Sequence, residues 1–201
     1  MNVTLSDPLY LAKGSCRTVF KHPSHNDLCI KVNHNPRKDR NITEIVFYHF
    51  HRRHALDFIA QYKGTVATNM GKGVVTEIVK DHDGKVSKSL EEYIEANLLS
   101  IEQGFAYIKA LQEKVLKCGV LLHDDGIQNI LMRKATDGRL TPVLVDGFGP
   151  RDMSFKSLSR MVLSPLARKK SKQVIQGMLR RTEKMRAGVL ESIQTGQIPT
   201  F

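Results

Sequence analysis

The chain has 201 residues, 41% of them hydrophobic, which is ordinary for a soluble globular protein with one large core or two small lobes. No apolar run approaches the roughly 20 residues needed to cross a bilayer, and the polar start has no signal-peptide core, so the protein is predicted to be cytoplasmic. The formal net charge of +11 lies mostly in residues 151–201, which hold 11 Lys and Arg against 3 Asp and Glu. Such a segment favours phosphates, nucleic acid or an anionic membrane as partners, or simply gives a solubilising face.

The first third of the chain consists of short runs that alternate apolar and polar residues, a pattern typical of antiparallel strands. The runs are VFKHP, DLCIKV, YKGTVATN and GVVTEIVK. One helix interrupts them in NITEIVFYHFHRRHAL. Its apolar side is predicted from residues that recur at helical spacing, namely Ile42, Ile45, Val46, His49 and Phe50. Residues 1–79 are therefore predicted to form an N-terminal lobe, a small sheet that carries one helix.

Helices are predicted for the middle of the chain. Ser89 with Glu92, and Ser100 with Gln103, have the spacing of capping boxes. These pairs predict helix starts for SLEEYIEA and for SIEQGFAYIKALQEKVLKCG. Gly119 follows the second helix as a predicted left-handed cap.

A loop, a hairpin and a helical tail are predicted to follow. The loop is VLLHDDGIQN, and the hairpin joins ILMRK to TPVLVD through an Asp137-Gly138 turn. Ser164 and Pro165 predict an N-cap and first turn for a helix in the tail. Residues 80–201 are therefore predicted to form a reduced, mainly helical lobe, which makes the whole chain an α+β protein.

Three side chains with oxygen ligands are predicted to meet where this loop and hairpin come together. Asp124 and Asn129 are five positions apart in the loop, and Asp146 ends the second strand of the hairpin. Carboxylate and amide oxygens hold Mg²⁺ together with a substrate's phosphates, so Asn129 and Asp146 are predicted to bind the metal. Asp124 is the predicted catalytic residue, because it can orient an attacking hydroxyl group or accept its proton.

Upstream residues complete a predicted site for nucleotide phosphates. The strand LCIKV resembles the V-A-I-K strand of protein kinases, and this resemblance implies that Lys31 pairs with the phosphates as a second catalytic residue and that Glu44, on the following helix, holds it extended. The segment LAKGSCRTVF lies between two strand-like runs, where a kinase has the glycine-rich loop that covers the phosphates, so the same resemblance implies phosphate contacts for Gly14 and Arg17. Glu77, in GVVTEIVK, is also predicted to line the nucleotide site.

Each of these residues also has an ordinary structural interpretation. Asp124 in D-D-G can be a turn residue, Lys31 a strand lysine, Glu44 a solvated helix residue and Asp146 the start of a turn. These residues occur in the expected order, and each lies on the expected kind of secondary structure. Such a combination is harder to obtain by chance than any single residue of this kind. The combination therefore favours a site over unrelated residues.

The order of the motifs resembles that of protein kinases, in which a catalytic loop H-R-D-x-x-x-x-N is followed after a hairpin by D-F-G. Here the loop is LHDDGIQN and the second motif is DGFG. Over residues 6–150 the chain is more closely similar to the PhoP regulatory network protein family YrbL, through RTVFKHP, CIKV, YKGTV, GVV, IQNIL and TPVLVD. The resemblance implies a minimal two-lobed protein-kinase-like fold with the nucleotide between the lobes.

The chain also departs from the kinase pattern. Leu122 and His123 stand where a kinase loop has His and Arg, the phenylalanine of D-F-G is displaced to Phe148, and no A-P-E motif follows. The leading prediction is an ATP- and Mg²⁺-dependent phosphotransferase that acts on an unknown acceptor, either a protein or a small molecule. The alternative is a pseudokinase, a nucleotide-binding regulatory or scaffold module that transfers no phosphate.

The basic tail has two open interpretations. Residues 165–186 can form an amphipathic helix that makes peripheral contact with an anionic membrane. Alternatively, the apolar side of this helix completes the core. Nucleic acid is the weaker partner, because the chain has no tryptophan and its tail has few aromatic residues for base stacking.

Overall fold

The structure of the protein, a computed structural model, describes residues 3–35, 39–54 and 56–194. Within these ranges the chain is a mixed α+β protein, as predicted. It contains an antiparallel sheet, a separate two-stranded hairpin and several helices. The sheet comes from the first part of the chain, and most of the helical residues follow it.

Five short strands form one antiparallel sheet. They are β1 (Tyr10–Lys13), β2 (Arg17–His22), β3 (His25–Asn33), β4 (Tyr62–Thr68) and β5 (Gly71–Glu77), in the spatial order β1-β2-β3-β5-β4. The four predicted strand runs are thereby confirmed. Ile30 and Val32 of β3 are buried in one apolar cluster. Lys31 lies between them and projects from the opposite face, because successive side chains of a strand alternate.

Helix α1 (Arg40–Phe50) buries a different side from the one predicted. Asn41 and Glu44 are buried, whereas Ile42 and Phe50 are 46% and 44% exposed, so the predicted apolar stripe is wrong. The reason is that the sheet offers polar partners to this helix. Asn41 donates hydrogen bonds to two backbone carbonyl oxygens of the sheet, and Glu44 meets two buried cations. Such partners offset the cost of burying polar groups.

Two helices begin at the predicted capping boxes. They are α2 (Leu90–Glu95), capped by Ser89, and α3 (Ile101–Cys118), capped by Ser100. Each serine side chain accepts a hydrogen bond from the backbone three positions later, and the side chain there accepts one from the serine N–H. Gly119 ends α3 in the left-handed conformation, with φ 65°, so this prediction is also confirmed.

The later described residues include the predicted hairpin and two helices in the tail. The hairpin consists of β6 (Ile130–Lys134) and β7 (Leu140–Leu144). The helices are α4 (Phe155–Val162) and α5 (Ser164–Gln194), and α5 begins at the predicted serine. No helix within the described ranges has both the length and the apolar character needed to span a bilayer.

Helix α5 packs against α3, and its apolar side contributes to the main core. Ala167, Val174, Ile175 and Met178 are each at most 6% exposed and join the cluster that contains the buried residues of α3. The apolar side of the tail therefore completes the core, which was one of the two alternatives. Membrane contact through its basic side stays a prediction.

Candidate functional site

The predicted site residues gather around one cleft of about 690 Å³. Strands β1 to β3, the end of β5, the loop after α3 and the hairpin β6–β7 all contribute to its walls. Seven of the eight predicted residues line it, namely Gly14, Arg17, Lys31, Glu77, Asp124, Asn129 and Asp146. The eighth, Glu44, is buried behind the wall and contacts two of them. Residues from distant parts of the chain therefore face one cavity.

Four charged side chains form a connected ion-pair network beside the cleft. Lys31 Nζ lies 2.9 Å from Glu44 Oε1 and donates a hydrogen bond of 2.7 Å to the backbone oxygen of Val145. Arg17 pairs with the other oxygen of Glu44, and its Nη2 lies 2.8 Å from Asp146 Oδ2. The side chains of Arg17, Lys31 and Glu44 are at most 6% exposed, whereas that of Asp146 is 48% exposed. Two cations thus balance two carboxylates, and Glu44 serves both cations.

The network favours the charged forms of Asp146 and Arg17. Desolvation in the cleft opposes ionisation of Asp146, but the charges of Arg17 and Lys31 and a hydrogen bond from the Gly147 N–H hold its pKa well below the usual range. Burial likewise disfavours the charged form of Arg17, yet the carboxylates of Glu44 and Asp146 raise its pKa above the ordinary value. Asp146 therefore presents a carboxylate to the cleft at neutral pH.

Aromatic packing joins helix α1 to the segment that carries Asp146. Phe148 is 4% exposed, and its ring centroid lies 4.8 Å from that of Phe47 and 5.7 Å from that of Tyr48. Both partners belong to α1. The helix that positions Glu44 and the segment that positions Asp146 are therefore packed together as well as joined by charge.

The loop after α3 holds Asp124 close to the same segment. The N–H groups of His123 and Asp124 both donate to the carbonyl oxygen of Gly147, at 2.8 and 3.3 Å. Gly147 has φ +83°, and a Cβ there would lie 2.9 Å from the Cβ of Asp124, so only glycine fits. Asp124 Oδ1 accepts a hydrogen bond of 2.8 Å from the Gly126 N–H, and Oδ2 has no partner among the described residues. One carboxylate oxygen is therefore open to the cleft.

A serine of α5 holds the backbone of this loop, and no pattern in the sequence predicts that contact. Ser171 is fully buried. Its hydroxyl accepts a hydrogen bond of 2.9 Å from the Leu122 N–H and donates one of 2.8 Å to the carbonyl oxygen of Val120. The helix that carries much of the positive charge thus fixes the backbone just before Asp124.

The second aspartate of D-D-G contacts α5 and does not line the cleft. Asp125 Oδ1 lies 2.9 Å from Arg181 Nη2. Gly177 lies against the same side chain, and a Cβ there would be 2.9 Å from the Cβ of Asp125, which leaves no room for a larger residue. The two neighbouring acids are therefore distinct, since Asp125 anchors the loop and Asp124 faces the cleft.

Gly14 and Glu77 line the cleft without joining the ion-pair network. Gly14, in the β1–β2 turn, donates a hydrogen bond of 2.8 Å to the backbone oxygen of Arg17, and a Cβ there would make only an ordinary contact of 3.8 Å. Glu77 Oε1 lies 3.1 Å from Arg133 Nη2 and accepts a hydrogen bond of 3.2 Å from the Gln61 N–H. The carboxylate of Glu77 is therefore already engaged by other residues.

The predicted metal ligands provide suitable oxygens, but a cation of the chain contacts one of them. The Asn129 side chain makes no hydrogen bond within the described residues, whereas Asp146 Oδ2 accepts from Arg17. The described residues also contain no group of three His, Cys, Asp or Glu side chains arranged to hold a metal ion. Two protein oxygens suit a Mg²⁺ ion that takes its other ligands from phosphates and water. The oxygens of Asn129 and Asp146 are of the type that such an ion binds, and Arg17 contacts one of them in this structure.

Comparison with known proteins identifies the family of the chain. The sequence profile of the PhoP regulatory network protein YrbL matches residues 3–183, a range that contains all eight predicted site residues. YrbL proteins of Escherichia coli (strain K12) and Shigella flexneri are each 30% identical to the chain over 159 aligned residues, which cover 73% of this chain and 73% of each relative. The chain therefore belongs to the PhoP regulatory network protein YrbL family.

Proposed function

We propose that the chain is a phosphotransferase of the protein-kinase-like superfamily, which uses ATP with Mg²⁺ to phosphorylate a hydroxyl group of an acceptor. The observation that carries the proposal is the ammonium group of Lys31, which joins Glu44 of α1 to Val145, the residue before Asp146. Kinases use a lysine braced by a helix glutamate in this way to position nucleotide phosphates. In the proposed two-lobed arrangement, residues 1–79 cover the nucleotide and residues 80–201 form a reduced helical lobe.

The other walls of the cleft support a nucleotide as the ligand. They include Val19 and Cys29 on neighbouring strands and Leu131 on the β6–β7 hairpin, in addition to the charged residues. A planar base needs apolar walls, whereas its phosphates need cations, and this cleft has both. The base would lie between the sheet and the hairpin, which places the phosphates beside Lys31.

The proposed reaction relies on positioning and charge compensation, because phosphoryl transfer needs little covalent catalysis. The acceptor O–H bond breaks and its proton passes to Asp124, while the acceptor oxygen bonds to the γ-phosphorus. The bond from that phosphorus to the bridging oxygen breaks, and ADP leaves. Lys31 would hold the α- and β-phosphates, and Asn129 with Asp146 would hold Mg²⁺, which supplies positive charge to the phosphates.

One contact favours a second candidate function, a pseudokinase that binds nucleotide without transferring phosphate. Arg17 stands where a kinase glycine-rich loop has its last glycine, and its guanidinium group bonds to Asp146. The chain thus supplies its own cation to the predicted metal ligand. A module of this kind would bind a nucleotide or a partner protein and act through that binding alone.

Two measurements on the full chain test the proposal and separate it from the alternative. The first is the melting temperature with ATP, with Mg²⁺ and with both, because a ligand of the folded state raises it. The second follows label from γ-labelled ATP to water, to the chain itself and to hydroxyl-bearing test acceptors. A shift with transfer supports the phosphotransferase, and a shift without transfer supports the pseudokinase. No shift with ATP, with or without Mg²⁺, would contradict both.

Replacing Arg17 with methionine should strengthen the binding of Mn²⁺, a spectroscopic substitute for Mg²⁺, in the absence of nucleotide. The guanidinium group and a metal ion compete for Asp146 Oδ2. A hydrogen bond to a charged group contributes about 1.5–3 kcal/mol, so we expect the affinity to rise by about ten-fold or more. Electron paramagnetic resonance of free and bound Mn²⁺ measures the change.

A second arginine gives a matched control for this experiment. Arg40 also lines the cleft, but its Nη1 donates to the backbone oxygen of Arg151 and it has no ion pair with Asp146. Arg40→Met should therefore leave Mn²⁺ affinity close to that of the unmodified chain, and Asp146→Asn should abolish binding at this site. Equal affinities for the unmodified chain and Arg17→Met would show that Arg17 does not compete with the metal.

A further inference from the structure

Residues 153–166, which include α4 and the first turn of α5 and are called the α4–α5 corner below, carry exposed apolar side chains that the proposed phosphotransfer does not use. Five large apolar side chains there are at least 41% exposed, namely Met153, Phe155, Val162, Leu163 and Leu166. They are five of the eleven such side chains among the described residues, and they fall within fourteen positions of one another. Phe155 alone is 88% exposed. Clustered exposed apolar side chains mark interaction surfaces, whereas scattered ones do not.

The geometry of α4 explains why part of this surface faces outward. Phe155 and Val162 are seven positions apart and therefore lie on one side of the helix, while Ser157 on the other side is buried. Lys156 and Arg160 are four positions apart and lie together on a neighbouring side of the helix. Helix α4 thus presents apolar and cationic side chains together on its outer surface.

Most of the positive charge of this region has no ion pair within the described residues, Arg181 with Asp125 being an exception. Residues 153–182 contain eight Lys and Arg and no Asp or Glu. Among the residues that the structure describes, no carboxylate forms an ion pair with Lys156, Arg160, Lys169 or Lys172. Their positive field is therefore available to attract an anionic partner.

We propose that the α4–α5 corner docks on an anionic lipid bilayer. Interfacial helices bind in this way, with apolar side chains in the headgroup boundary and cations on the lipid phosphates. Helix α4 ends at Val162 and α5 begins at Ser164, and neither the cleft nor a second cavity of about 310 Å³ is lined by the five apolar residues of the corner. Such a surface suits a flat bilayer better than a peptide that needs a groove.

In the proposed docking, the residues that supply the apolar contact with the membrane lie before the buried part of α5. The sequence predicts membrane contact through residues 165–186, but α5 buries its apolar side from Ala167 to Met178 in the core. The exposed apolar side chains instead lie at residues 153–166. The cations of α4 and of the first turns of α5 then lie beside them.

Flotation of the full chain with lipid vesicles tests the proposal. The vesicles contain phosphatidylcholine alone or about one third phosphatidylglycerol, an anionic lipid. We expect the chain to float with the anionic vesicles at about 50 mM salt and much less at about 500 mM, because salt screens the attraction. We expect little binding to the neutral vesicles at either concentration.

Single substitutions distinguish binding through the α4–α5 corner from nonspecific attraction of the positively charged chain to anionic lipid. Phe155→Ser should lower the partition coefficient about ten-fold, because a buried aromatic side chain contributes strongly to transfer out of water. Lys156→Glu should lower it at least about five-fold through the lost attraction to anionic lipid. Met70→Ser and Lys109→Glu change exposed residues on other elements and should bind like the unmodified chain. The melting temperature of each variant confirms that it remains folded.

Three results would overturn the proposal. The first is an absence of binding to anionic vesicles at low salt. The second is equal binding by Phe155→Ser, Lys156→Glu and their two controls. The third is a dimer in sedimentation experiments that Phe155→Ser converts to monomer while vesicle binding is unaffected, which would assign the corner to a second copy of the chain.

Discussion

Replacing Asp124 with asparagine should lower the rate of phosphate transfer from ATP by about 10²- to 10⁴-fold, the usual contribution of a general base. The amide cannot accept the proton of the attacking hydroxyl group. Its oxygen can still accept the hydrogen bond that Asp124 Oδ1 receives from the Gly126 N–H, so the loop should keep its conformation. Nucleotide affinity should therefore stay unchanged. Label transfer and equilibrium binding of ATP, measured on the same preparation, check both expectations.

The neighbouring aspartate provides a strict control. Asp125 differs from Asp124 by one position, yet it pairs with Arg181 and does not line the cleft. Asp125→Asn should lower the melting temperature and retain most of the transfer activity. If Asp125→Asn abolished transfer and Asp124→Asn did not, the proposed role would belong to the other residue.

Replacing Glu44 with alanine should destabilise the protein by about 3–5 kcal/mol, as expected when one partner of a buried ion pair is removed. Lys31 and Arg17 both contact this carboxylate, and their side chains are each 6% exposed. Without Glu44, both cations stay buried with fewer partners. Arg17 keeps its ion pair with Asp146, and Lys31 keeps its hydrogen bond to one carbonyl oxygen. Urea unfolding followed by circular dichroism measures the change.

An exposed helix glutamate serves as the control for that measurement. Glu113, on α3, is exposed and has no ion pair within the described residues. Glu113→Ala should change stability by no more than about 0.5 kcal/mol. A loss for Glu44→Ala as small as this would show that the shared carboxylate does not stabilise the two cations.

Local patterns account for what could be predicted of the fold. The capping serines Ser89 and Ser100 and the cap Gly119 act within a few positions of themselves, so one sequence is enough to recognise them. The buried side of α1 could not be recognised in this way. Its partners, Arg17 and Lys31, come from strands earlier in the chain, and their charge outweighs the apolar pattern of the helix.

The candidate site shows the same division between local and distant information. The order of the motifs was enough to predict residues that line one cleft, although their chemical roles stay predictions. The five-position spacing to Asn129 selects Asp124 over Asp125, but no local pattern predicts the partner of Asp125, because that contact joins residues 56 positions apart. Ser171 likewise looks like an ordinary helix serine in the sequence, because its hydrogen-bond partner Leu122 lies 49 positions earlier.

Helix α5 is continuous over 31 residues and is therefore roughly 46 Å long at about 1.5 Å per residue. Its first turn belongs to the exposed corner, and Ser171 and Gly177 touch the loop of Asp124 roughly 10 and 20 Å further along. One continuous helix thus connects the corner to the loop of Asp124. If the corner docks on a bilayer as proposed, this helix sets the orientation of the cleft relative to the bilayer surface. An acceptor embedded in that bilayer would then approach the cleft from one fixed direction. A bend in α5 would misalign the acceptor with the cleft and leave the residues of the cleft in place.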